Sequence, residues 1–447
     1  MLKNKMILNK SGWLLNLFSL LLLLTIAWGT ELKPMVHDEA WLRLLDQESA
    51  KVPASVLHAE ELMDLVIARN TSMRALYADW KMSQDDLETI TTLPDPTLGL
   101  GYFLEPVETA QGPQVAKLSI NQNIPWFSKT GAARAGKSSK IDRTLHALAG
   151  ERLSLFRDVR ILWVEAAFLQ EARVLLQKKL DLSTDLEEIL EVQYKSGSAS
   201  HKQRLEIRIV SLELKNRLDD LESRYFRLRV KIGSLLELEG PVSKIFIPDS
   251  IDSADLVILS SERIERHPTL LQAEAFTKQA EAQTLAAKAE FIPDIRIGLD
   301  YILTNEKMVN GVEVAGTGNN PFILSAGIAL PLWSWKAKRA QLRASQWQLK
   351  RSQALELSEH NQLSGALELG ESILAENLRQ IDLLEGQFIP YAEEIVTVLQ
   401  QDYISQNADA VALTSARQKL LDYQLELNES QYSAQLQRAN LAYLRGN

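Results

Sequence analysis

The residues best suited to metal chemistry in this chain are its six histidines, and they are scattered: His37, His58, His146, His201, His267 and His360. None has a His or Cys partner at a spacing that metal sites use, and the chain contains no cysteine. Without cysteine there are no disulfides, no thiol catalysis and no lipid-modified N-terminal Cys. Nucleophile elbows, phosphate loops and zincin motifs are absent from the sequence. The sequence therefore predicts no enzyme, no cofactor and no metal site, and it predicts that the histidines are polar surface or turn residues.

The charge balance excludes a second class of function. The net charge is −9, and removal of a segment that contains Lys3, Lys5 and Lys10 leaves 46 basic against 58 acidic residues, or −12. A nucleic-acid-binding protein needs a basic surface. We therefore expect no nucleic-acid partner.

Two groups of charged residues lie beside two turns, and each turn lies between long helical stretches. The first turn, 196–200, has Gly197 as an expected C-cap and is followed by His201, Lys202, Gln203 and Arg204. The second turn, 405–408, lies between Asp402 and Asp409. Opposite charges on the two turns could close a gate through ion pairs worth about 0–1 kcal/mol each. They could equally be ordinary solvated turn residues, and both interpretations remain open.

The elements that position these turns are organised around two similar stretches, 93–129 and 292–336. Five identities fall at one offset of 199 residues, at Pro94/Pro293, Asp95/Asp294, Gly99/Gly298, Leu100/Leu299 and Tyr102/Tyr301. Each stretch has two runs of alternating apolar and polar residues around a polar turn, which predicts a β-hairpin. We expect the hairpins at 96–125, with its turn at 105–113, and at 294–332, with a loop at 305–320. Prolines punctuate the helix–strand junctions, which comprise Pro94, Asp95, Pro125, Pro293 and Pro331.

One side of the predicted strands is apolar. Strands of about ten residues are long enough to cross a bilayer when tilted. The residues that we expect to face lipid are Leu98, Leu100, Tyr102, Leu118, Ile120, Ile297, Leu299, Tyr301, Leu324 and Ile328. Trp126, Trp333 and Trp335 stand at the strand ends, where they could form an aromatic girdle or pack at the joint with the helices.

Long helices fill most of the remaining chain. Helices are predicted at 57–90, 128–194, 262–291 and 335–404, with two more after the turns, and Pro390 should kink the fourth. A helix over 128–194 would be on the order of 100 Å long. Its residues Leu155, Val159, Leu162, Ala166 and Leu169 alternate steps of four and three, which is the spacing of a coiled coil. Each long helix is therefore expected to pair with the helix after its turn.

The N-terminus reads as a secretory signal. A basic segment precedes an apolar run from Trp13 to Trp28, and Ala27-Trp28-Gly29 fits a small-residue cleavage site before Thr30. An uncleaved anchor is the alternative, but the run is shorter than the ~20 residues that span a bilayer. We expect a signal peptide at 1–29, a lead-in at 30–56, a first repeat at 57–236, a connector at 237–260 and a second repeat at 261–447.

These parts predict a mainly α chain with a small β part. Long antiparallel coiled-coil hairpins occur in two internal repeats, each with one β-hairpin. A sheet of four strands has two edges with unpaired backbone N–H and C=O groups, and such groups must be paired in lipid. We expect several copies to share a barrel, with three copies giving 12 strands and the helices forming a tube.

The chain at this point resembles the TolC-like outer-membrane efflux proteins, over about 57–444. Leu93-Pro-Asp-Pro96, Gly99-Leu-Gly-Tyr102 and Asn123-Ile-Pro-Trp-Phe-Ser-Lys129 are similar to the heavy-metal efflux branch. The resemblance implies a homotrimer in the outer membrane of a Gram-negative bacterium, with a 12-stranded barrel and a large periplasmic helical tube. It also implies a periplasmic adaptor protein and an inner-membrane pump as partners, and export of small toxic solutes, with metal cations as the expected cargo. The turns at the helix ends would then be the gate and the adaptor-docking surface.

The chain departs from the family pattern near those turns. Gln203 stands after the first turn, and Ala412 and Ser415 stand where some relatives have gate aspartates. An acidic gate ring is therefore in question. Alternative functions are a channel for drug efflux or protein secretion, and a periplasmic coiled-coil adaptor or structural protein. Adaptors usually carry one helical hairpin on several short strands, whereas this chain has two helical hairpins.

Overall fold

A computed structural model describes residues 41–45, 59–91, 93–238, 264–405 and 409–446. The predicted signal peptide, the lead-in up to residue 40 and most of the connector lie outside these residues. So do positions 406–408 of the second turn. Contacts divide the described chain into a first unit, Asp85–Ala135 with Leu285–Leu342, and a second unit, Trp41–Gln84 with Gly136–Thr284 and Arg343–Asn447.

Helices make up most of the described residues. The helices are α1 (Leu42–Leu45), α2 (Ala59–Arg69), α3 (Thr71–Thr91), α4 (Phe127–Lys195), α5 (His201–Leu235), α6 (Pro268–Ala289), α7 (Trp335–Leu383), α8 (Ile389–Ile404) and α9 (Ala410–Leu444). The strands are β1 (Thr97–Thr109), β2 (Gly112–Ile124), β3 (Ile295–Thr304), β4 (Met308–Val309), β5 (Val312–Glu313) and β6 (Phe322–Ile328). Among the described residues, no helix is both long and apolar enough to cross a membrane.

The first unit contains a four-stranded antiparallel sheet in the order β1-β2-β3-β6. The two predicted hairpins thus lie side by side, with β2 against β3. Strands β1 and β6 are the edges of this sheet. Among the described residues, each edge therefore has only one hydrogen-bonded neighbour.

The predicted turn of the first hairpin, 105–113, was wrong. Strands β1 and β2 continue through most of it, and only Ala110 and Gln111 connect them. The register shifts between Tyr102 and Val107, so an irregularity in β1 carries the Glu105-Pro106 segment, which sequence reasoning took for a turn. Gly112 has φ +118°, a conformation that favours glycine, and a Cβ there would lie 2.0 Å from the Asn305 carbonyl oxygen.

The predicted open loop at 305–320 was also wrong in part, because β4 and β5 form a small hairpin inside it. Asn310 and Gly311 connect the two strands with φ of 53° and 81°. An Asn-Gly pair with positive φ at both positions is the preferred two-residue hairpin turn. The signal was present in the sequence and was missed.

The predicted helix at 57–90 is two helices, α2 and α3, separated at Asn70. The Asn70 side chain accepts a hydrogen bond from the Met73 amide at 3.0 Å, so Asn70 caps α3 and interrupts the pattern. The helix predicted to begin near 262 begins at Pro268, after a short 3₁₀ turn at Ile264–Arg266. The helix predicted at 335–404 changes to a π-helical turn at Leu384–Phe388, just before Pro390, which is a recognised cause of helix bending.

The second unit is a set of packed helices in which α4 contacts both α5 and α9. Leu186 and Leu190 of α4 pack with Ile207 of α5, and Phe168 of α4 stacks on Tyr432 of α9 with 4.7 Å between ring centroids. The predicted α4 stripe is buried at every position: Leu155, Val159, Leu162, Ala166 and Leu169. The coiled-coil pattern of α4 thus reports a real buried face.

Helix α9 also contacts α7 and α8. Gly370 of α7 lies against Leu441, and Phe388 lies 5.3 Å from Tyr423 between ring centroids. In the second unit the packing order is therefore α5, α4, α9 and then α7 with α8. Helices α5 and α8 are the outer members of this order.

Candidate functional site

One face of the sheet carries all ten residues that were predicted to face lipid. Direct partners across antiparallel strands point to the same face. Leu100 pairs with Leu118, Leu118 with Tyr301, and Tyr301 with Phe322. The other predicted residues lie at alternate positions along these strands and therefore on the same face: Leu98, Tyr102, Ile120, Ile297, Leu299, Leu324 and Ile328. The structure thus brings the set together.

This apolar sheet face, defined by those ten residues, is open to its surroundings. Leu100 is 82% exposed and Leu324 is 77% exposed. Only Tyr301 is half-buried, because its ring lies 4.7 Å from that of Phe322. Soluble monomers rarely expose a contiguous apolar patch of this kind.

The opposite sheet face is mainly polar or glycine. Lys117 and Asp300 form an ion pair there, with Nζ and Oδ2 2.9 Å apart. Ser119 lies opposite Gly99 on one side and Asp300 on the other. The sheet therefore has one apolar and one mainly polar side.

An ion pair joins the two predicted hairpins beside the helices. Asp294 Oδ1 lies 2.8 Å from Lys129 Nζ and accepts a hydrogen bond from the Trp126 amide at 3.4 Å. Glu290 extends the network, with Oε2 3.9 Å from Lys129 Nζ and 3.6 Å from Lys338 Nζ. Sequence reasoning missed this network, although the Asp95/Asp294 repeat pointed to the position.

The other junction residues punctuate the chain as predicted. Pro94, Asp95 and Pro293 precede strands, and Pro125 and Pro331 follow them. The Pro94 carbonyl accepts a hydrogen bond from Gln122 Nε2 at 2.6 Å. Asp95 is exposed.

The three tryptophans at the strand ends have different surroundings. Trp333 is 96% exposed. Trp335 packs edge-on against Phe291, with 4.9 Å between ring centroids. Trp126 lies 6.4 Å from Phe127. Trp335 thus fits the packing interpretation, whereas the exposed Trp333 is available for a girdle.

The first helical turn is built from local contacts. Gly197 has φ +79° and ends α4. Ser200 caps α5: its hydroxyl accepts from the Gln203 amide at 3.2 Å, while the Gln203 side chain accepts from the Ser200 amide at 2.9 Å. Gln203, which was predicted as a gate or docking residue, is thus half of a capping box.

The basic residues of this turn already have acidic neighbours. Glu191 Oε2 lies 2.9 Å from Arg204 Nη1, and Glu191 Oε1 lies 3.3 Å from Lys195 Nζ. The hydrogen bond from Arg204, followed by that from Lys195, holds the pKa of Glu191 below its ordinary value. Lys202 lies 3.4 Å from Glu206. The turn therefore offers less free positive charge than its sequence suggests.

His201 and Arg204 form a small aromatic cluster with Tyr194. The Arg204 guanidinium lies 4.8 Å from the Tyr194 ring centroid, and the His201 ring lies 5.6 Å from it. Arg204 Nη2 also approaches His201 Nδ1 at 3.3 Å. These contacts fix the first turn of α5 against the last turn of α4.

The second turn contributes Asp409 as the cap of α9. Its carboxylate accepts a hydrogen bond from the Ala412 amide at 2.7 Å. Ala410 and Val411 then pack with Ala199 against the buried cluster of Leu186, Leu190 and Ile207. The start of α9 thus lies beside the first turn. Asp402, the remaining predicted residue, is half-buried in α8.

The prediction that all histidines are surface or turn residues was wrong for His267, which is fully buried. Its Nδ1 accepts a hydrogen bond from the Thr269 amide at 3.2 Å at the start of α6, and its ring meets Tyr443 edge-on at 5.1 Å. Burial lowers the pKa of His267. His37 and His58 lie outside the described residues. Within the described ranges, no three His, Asp or Glu residues are grouped so as to hold a metal ion.

The family model described as "Outer membrane efflux protein" matches residues 259–447. The matched residues make up less than half of the chain. The pyoverdine export outer membrane protein OpmQ of Pseudomonas putida is 24% identical over 249 residues, which cover 55% of this chain and half of that relative's length.

Solved structures share the fold over most of the chain. VceC of Vibrio cholerae is 17% identical with a TM-score of 0.69, covering 87% of this chain and 96% of its own. A CusC structure is 13% identical, also with a TM-score of 0.69, covering 87% and 92%. The open-state MtrE channel of Neisseria gonorrhoeae is 14% identical with a TM-score of 0.67, covering 90% and 94%. The chain therefore has the mainly helical fold with a small antiparallel sheet that these outer-membrane proteins share.

The comparisons bear on two of the predictions from sequence. The matched family model is described as an efflux protein, that is, a transport protein and not an enzyme, in agreement with the prediction of no enzymatic activity. The location is likewise the Gram-negative outer membrane, with a periplasmic part. The comparisons do not single out the heavy-metal branch.

Proposed function

We propose that this protein is the outer-membrane duct of a tripartite efflux system. The apolar sheet face carries the proposal, because it is contiguous, exposed and backed by a mainly polar face. In water such a face would promote association. Facing lipid, it is the outer wall of a barrel.

The edges of the sheet support a shared barrel. Strands β1 and β6 each lack a second neighbour among the described residues. Lipid tolerates no unpaired backbone groups, and four strands are too few to close on themselves. Three copies, as the family resemblance implies, would close a barrel of 12 strands.

The outer helices of the second unit support the same association. Helix α8 exposes Tyr391, Ile395 and Val398, and α5 exposes Leu212 and Val230 on the side away from α4. The charges of the two helices are complementary. Helix α5 contains nine Lys or Arg and five Asp or Glu, whereas α8 contains three Asp or Glu and no Lys or Arg. Helix α5 of one copy thus fits α8 of the next, which would close the helices into a periplasmic tube.

The two helical turns are the proposed gate and docking surface. Three copies would present six turns, with Gly197, His201, Lys202, Gln203 and Arg204 on one kind and Asp402 and Asp409 on the other. The local pairs of Arg204 and Lys202 with Glu191 and Glu206 leave little charge for a strong closed ring. A periplasmic adaptor that offers new contacts could therefore open the gate. An inner-membrane pump would deliver cargo through that adaptor.

The cargo proposal has two candidates. The first is small toxic solutes, chiefly metal cations, as implied by the resemblance of the Leu93–Tyr102 and Asn123–Lys129 segments to the heavy-metal branch. The second is pyoverdine, because a relative aligned over 55% of this chain is named for pyoverdine export. The pump selects cargo, so the duct sequence alone favours neither strongly.

The experiment for the duct combines location, assembly and conductance. The protein should remain in the outer membrane after high-salt washing and be a trimer by light scattering in detergent. Reconstituted trimer should conduct ions across a planar bilayer. Release by salt as a non-conducting periplasmic protein would contradict the duct and favour the adaptor alternative.

The cargo is tested in cells of the source organism. Deletion of the gene should lower tolerance to copper, zinc or cobalt salts, and the intact gene should restore it. Unchanged metal tolerance together with lost secretion of pyoverdine would favour the second cargo.

A further inference from the structure

The seam between β2 and β3 is a contact between the two sequence repeats. It joins the second strand of the first repeat to the first strand of the second. Ile120 lies opposite Leu299 and Leu118 lies opposite Tyr301. Beside the helices the seam ends in the ion pair of Lys129 with Asp294.

Each partner in that ion pair has a counterpart in the other repeat. Asp95 corresponds to Asp294 at the common offset of 199 residues, and Lys336 ends Pro331–Lys336 as Lys129 ends Pro125–Lys129. Asp95 and Lys336 are both exposed. Neither forms an ion pair within the part of the chain that the structure describes. The two counterparts lie at the two open edges of the sheet, before β1 and after β6.

We propose that β6 of one copy pairs with β1 of a second copy in the register of the β2–β3 seam, and that Lys336 pairs with Asp95 across this contact. This proposal rests on the shared barrel proposed above and names its contact residues. The register follows from two alignments: β6 is aligned with β2 by matching Pro331 to Pro125, and β1 is aligned with β3 by matching Leu100 to Leu299. Leu324 then lies opposite Tyr102 of the second copy, and Ala326 lies opposite Leu100.

The faces of the strands provide a check on this register. Within the chain, Phe322, Leu324 and Ala326 lie on the apolar sheet face, and so do Leu100 and Tyr102. The transferred register keeps all of them on one face across the contact. A shift by one residue would place the apolar side chains of one copy beside the polar side of the next.

The two repeats differ in length by one residue just before Lys336, and the proposed ion pair can still form. Leu332 is an extra residue between Pro331 and Trp333, compared with Pro125 and Trp126. Lys336 has a long, flexible side chain that can absorb such a difference. The nearby Lys338 is already held by Glu290, whereas Lys336 has no ion pair among the described residues and can form one between copies.

Disulfide crosslinking tests the register directly, because the natural chain has no cysteine. The full-length double variant Tyr102→Cys/Leu324→Cys should give dimers and trimers on a denaturing gel after oxidation with copper phenanthroline. The in-chain counterpart Leu118→Cys/Tyr301→Cys should give only crosslinked monomer. Leu98→Cys/Leu324→Cys, whose residues are displaced from each other in the proposed register, should give no ladder.

The outcomes separate the register from the assembly. A ladder from Leu98→Cys/Leu324→Cys and none from Tyr102→Cys/Leu324→Cys would overturn the register, while light scattering reports whether a trimer exists at all. If light scattering shows a trimer but neither pair gives a ladder, the register is also wrong.

A charge exchange tests the proposed ion pair. Asp95→Lys should lower the temperature at which the trimer dissociates in mild detergent, and Asp95→Lys/Lys336→Asp should restore it. Asp95→Lys with Lys350→Asp is the matched control, because Lys350 is exposed farther along α7, and it should not restore the trimer. If the trimers of the two double variants dissociate at the same temperature, Lys336 does not pair with Asp95.

Discussion

Leu100 lies directly opposite Leu118 in the pairing of β1 with β2, and both side chains are exposed. Leu118 in turn lies opposite Tyr301. This row crosses the boundary between the two repeats without leaving the apolar face. The row is the strongest structural reason to place the sheet in a membrane.

Charge on the apolar sheet face should prevent assembly. Leu100→Arg or Leu299→Arg should each lower the stability of the membrane-inserted protein by about 2–4 kcal/mol, because a charge near the bilayer centre loses its hydration. The yield of folded trimer in outer-membrane fractions measures the effect. Ile323→Arg is the matched control, since Ile323 lies opposite Asp300 on the other face and should assemble. Normal assembly of all three variants would show that the faces are assigned wrongly.

The seam between α4 and α9 should depend on a half-buried ion pair. The Lys179 side chain is only 8% exposed, and its Nζ lies 2.5 Å from Asp422 Oδ1. Asp422→Asn leaves the buried ammonium without a counter-charge, so the protein should lose roughly 1–3 kcal/mol of stability. Thermal unfolding followed by circular dichroism measures the loss.

Two further variants test the cause of that loss. Glu376→Gln breaks a pair with Arg379 that is exposed on both sides, and it should leave the melting temperature unchanged. Lys179→Met/Asp422→Leu should recover most of the loss, because it removes both charges. A melting temperature for Asp422→Asn equal to that of the natural protein would contradict a role for this pair.

Two glycines of α7 should respond to alanine with opposite signs. At Gly370 a Cβ would lie 2.9 Å from Leu441 Cδ2, whereas a Cβ at Gly365 would meet no atom within 4 Å apart from the adjacent backbone of its own helix. Gly370→Ala should therefore cost about 1–3 kcal/mol through overpacking against α9. Gly365→Ala should stabilise the helix by about 0.5–1 kcal/mol. A shared sign in the two melting shifts would contradict the close approach of α7 to α9.

The sequence predicted the elements and faces better than the connections. Alternation in β1, β2 and β3 predicted the apolar face, and the four–three spacing from Leu155 to Leu169 predicted a buried stripe. Both patterns depend only on the period of an element. The turn at 105–113 was wrong because Pro106 suggested a break that β1 absorbs as an irregularity. Asn70 was missed as a cap because its neighbours continue the helical period.

The candidate sites show the same division. The strand period placed the ten apolar residues on one face, but the ion pair of Lys129 with Asp294 joins residues 165 positions apart and no local pattern predicts it. The charges at the first turn were identified from sequence, yet their partners Glu191 and Glu206 were overlooked. Those partners depend on how α4 and α5 pack in three dimensions.

Asp409 should affect the closed state of the duct through its charge as well as its cap. Asp409→Arg removes the cap on the Ala412 amide and adds positive charge beside Lys202 and Arg204. It should raise the conductance of single trimers in a planar bilayer. Asp409→Asn is the control, because asparagine caps a helix equally well but carries no charge. If Asp409→Arg assembles as a normal trimer with unchanged conductance, Asp409 is not part of the gate.

Spin-label accessibility on the sheet tests the central claim most directly. Single cysteines at Leu100, Leu299, Ser119 and Ile323, introduced into the natural cysteine-free chain, would each carry a nitroxide in bilayer-reconstituted protein. Labels at Leu100 and Leu299 should relax more with oxygen, which concentrates in lipid, and labels at Ser119 and Ile323 more with a water-soluble nickel chelate. Stronger nickel relaxation at Leu100 and Leu299 would show that water covers this face and would contradict the duct.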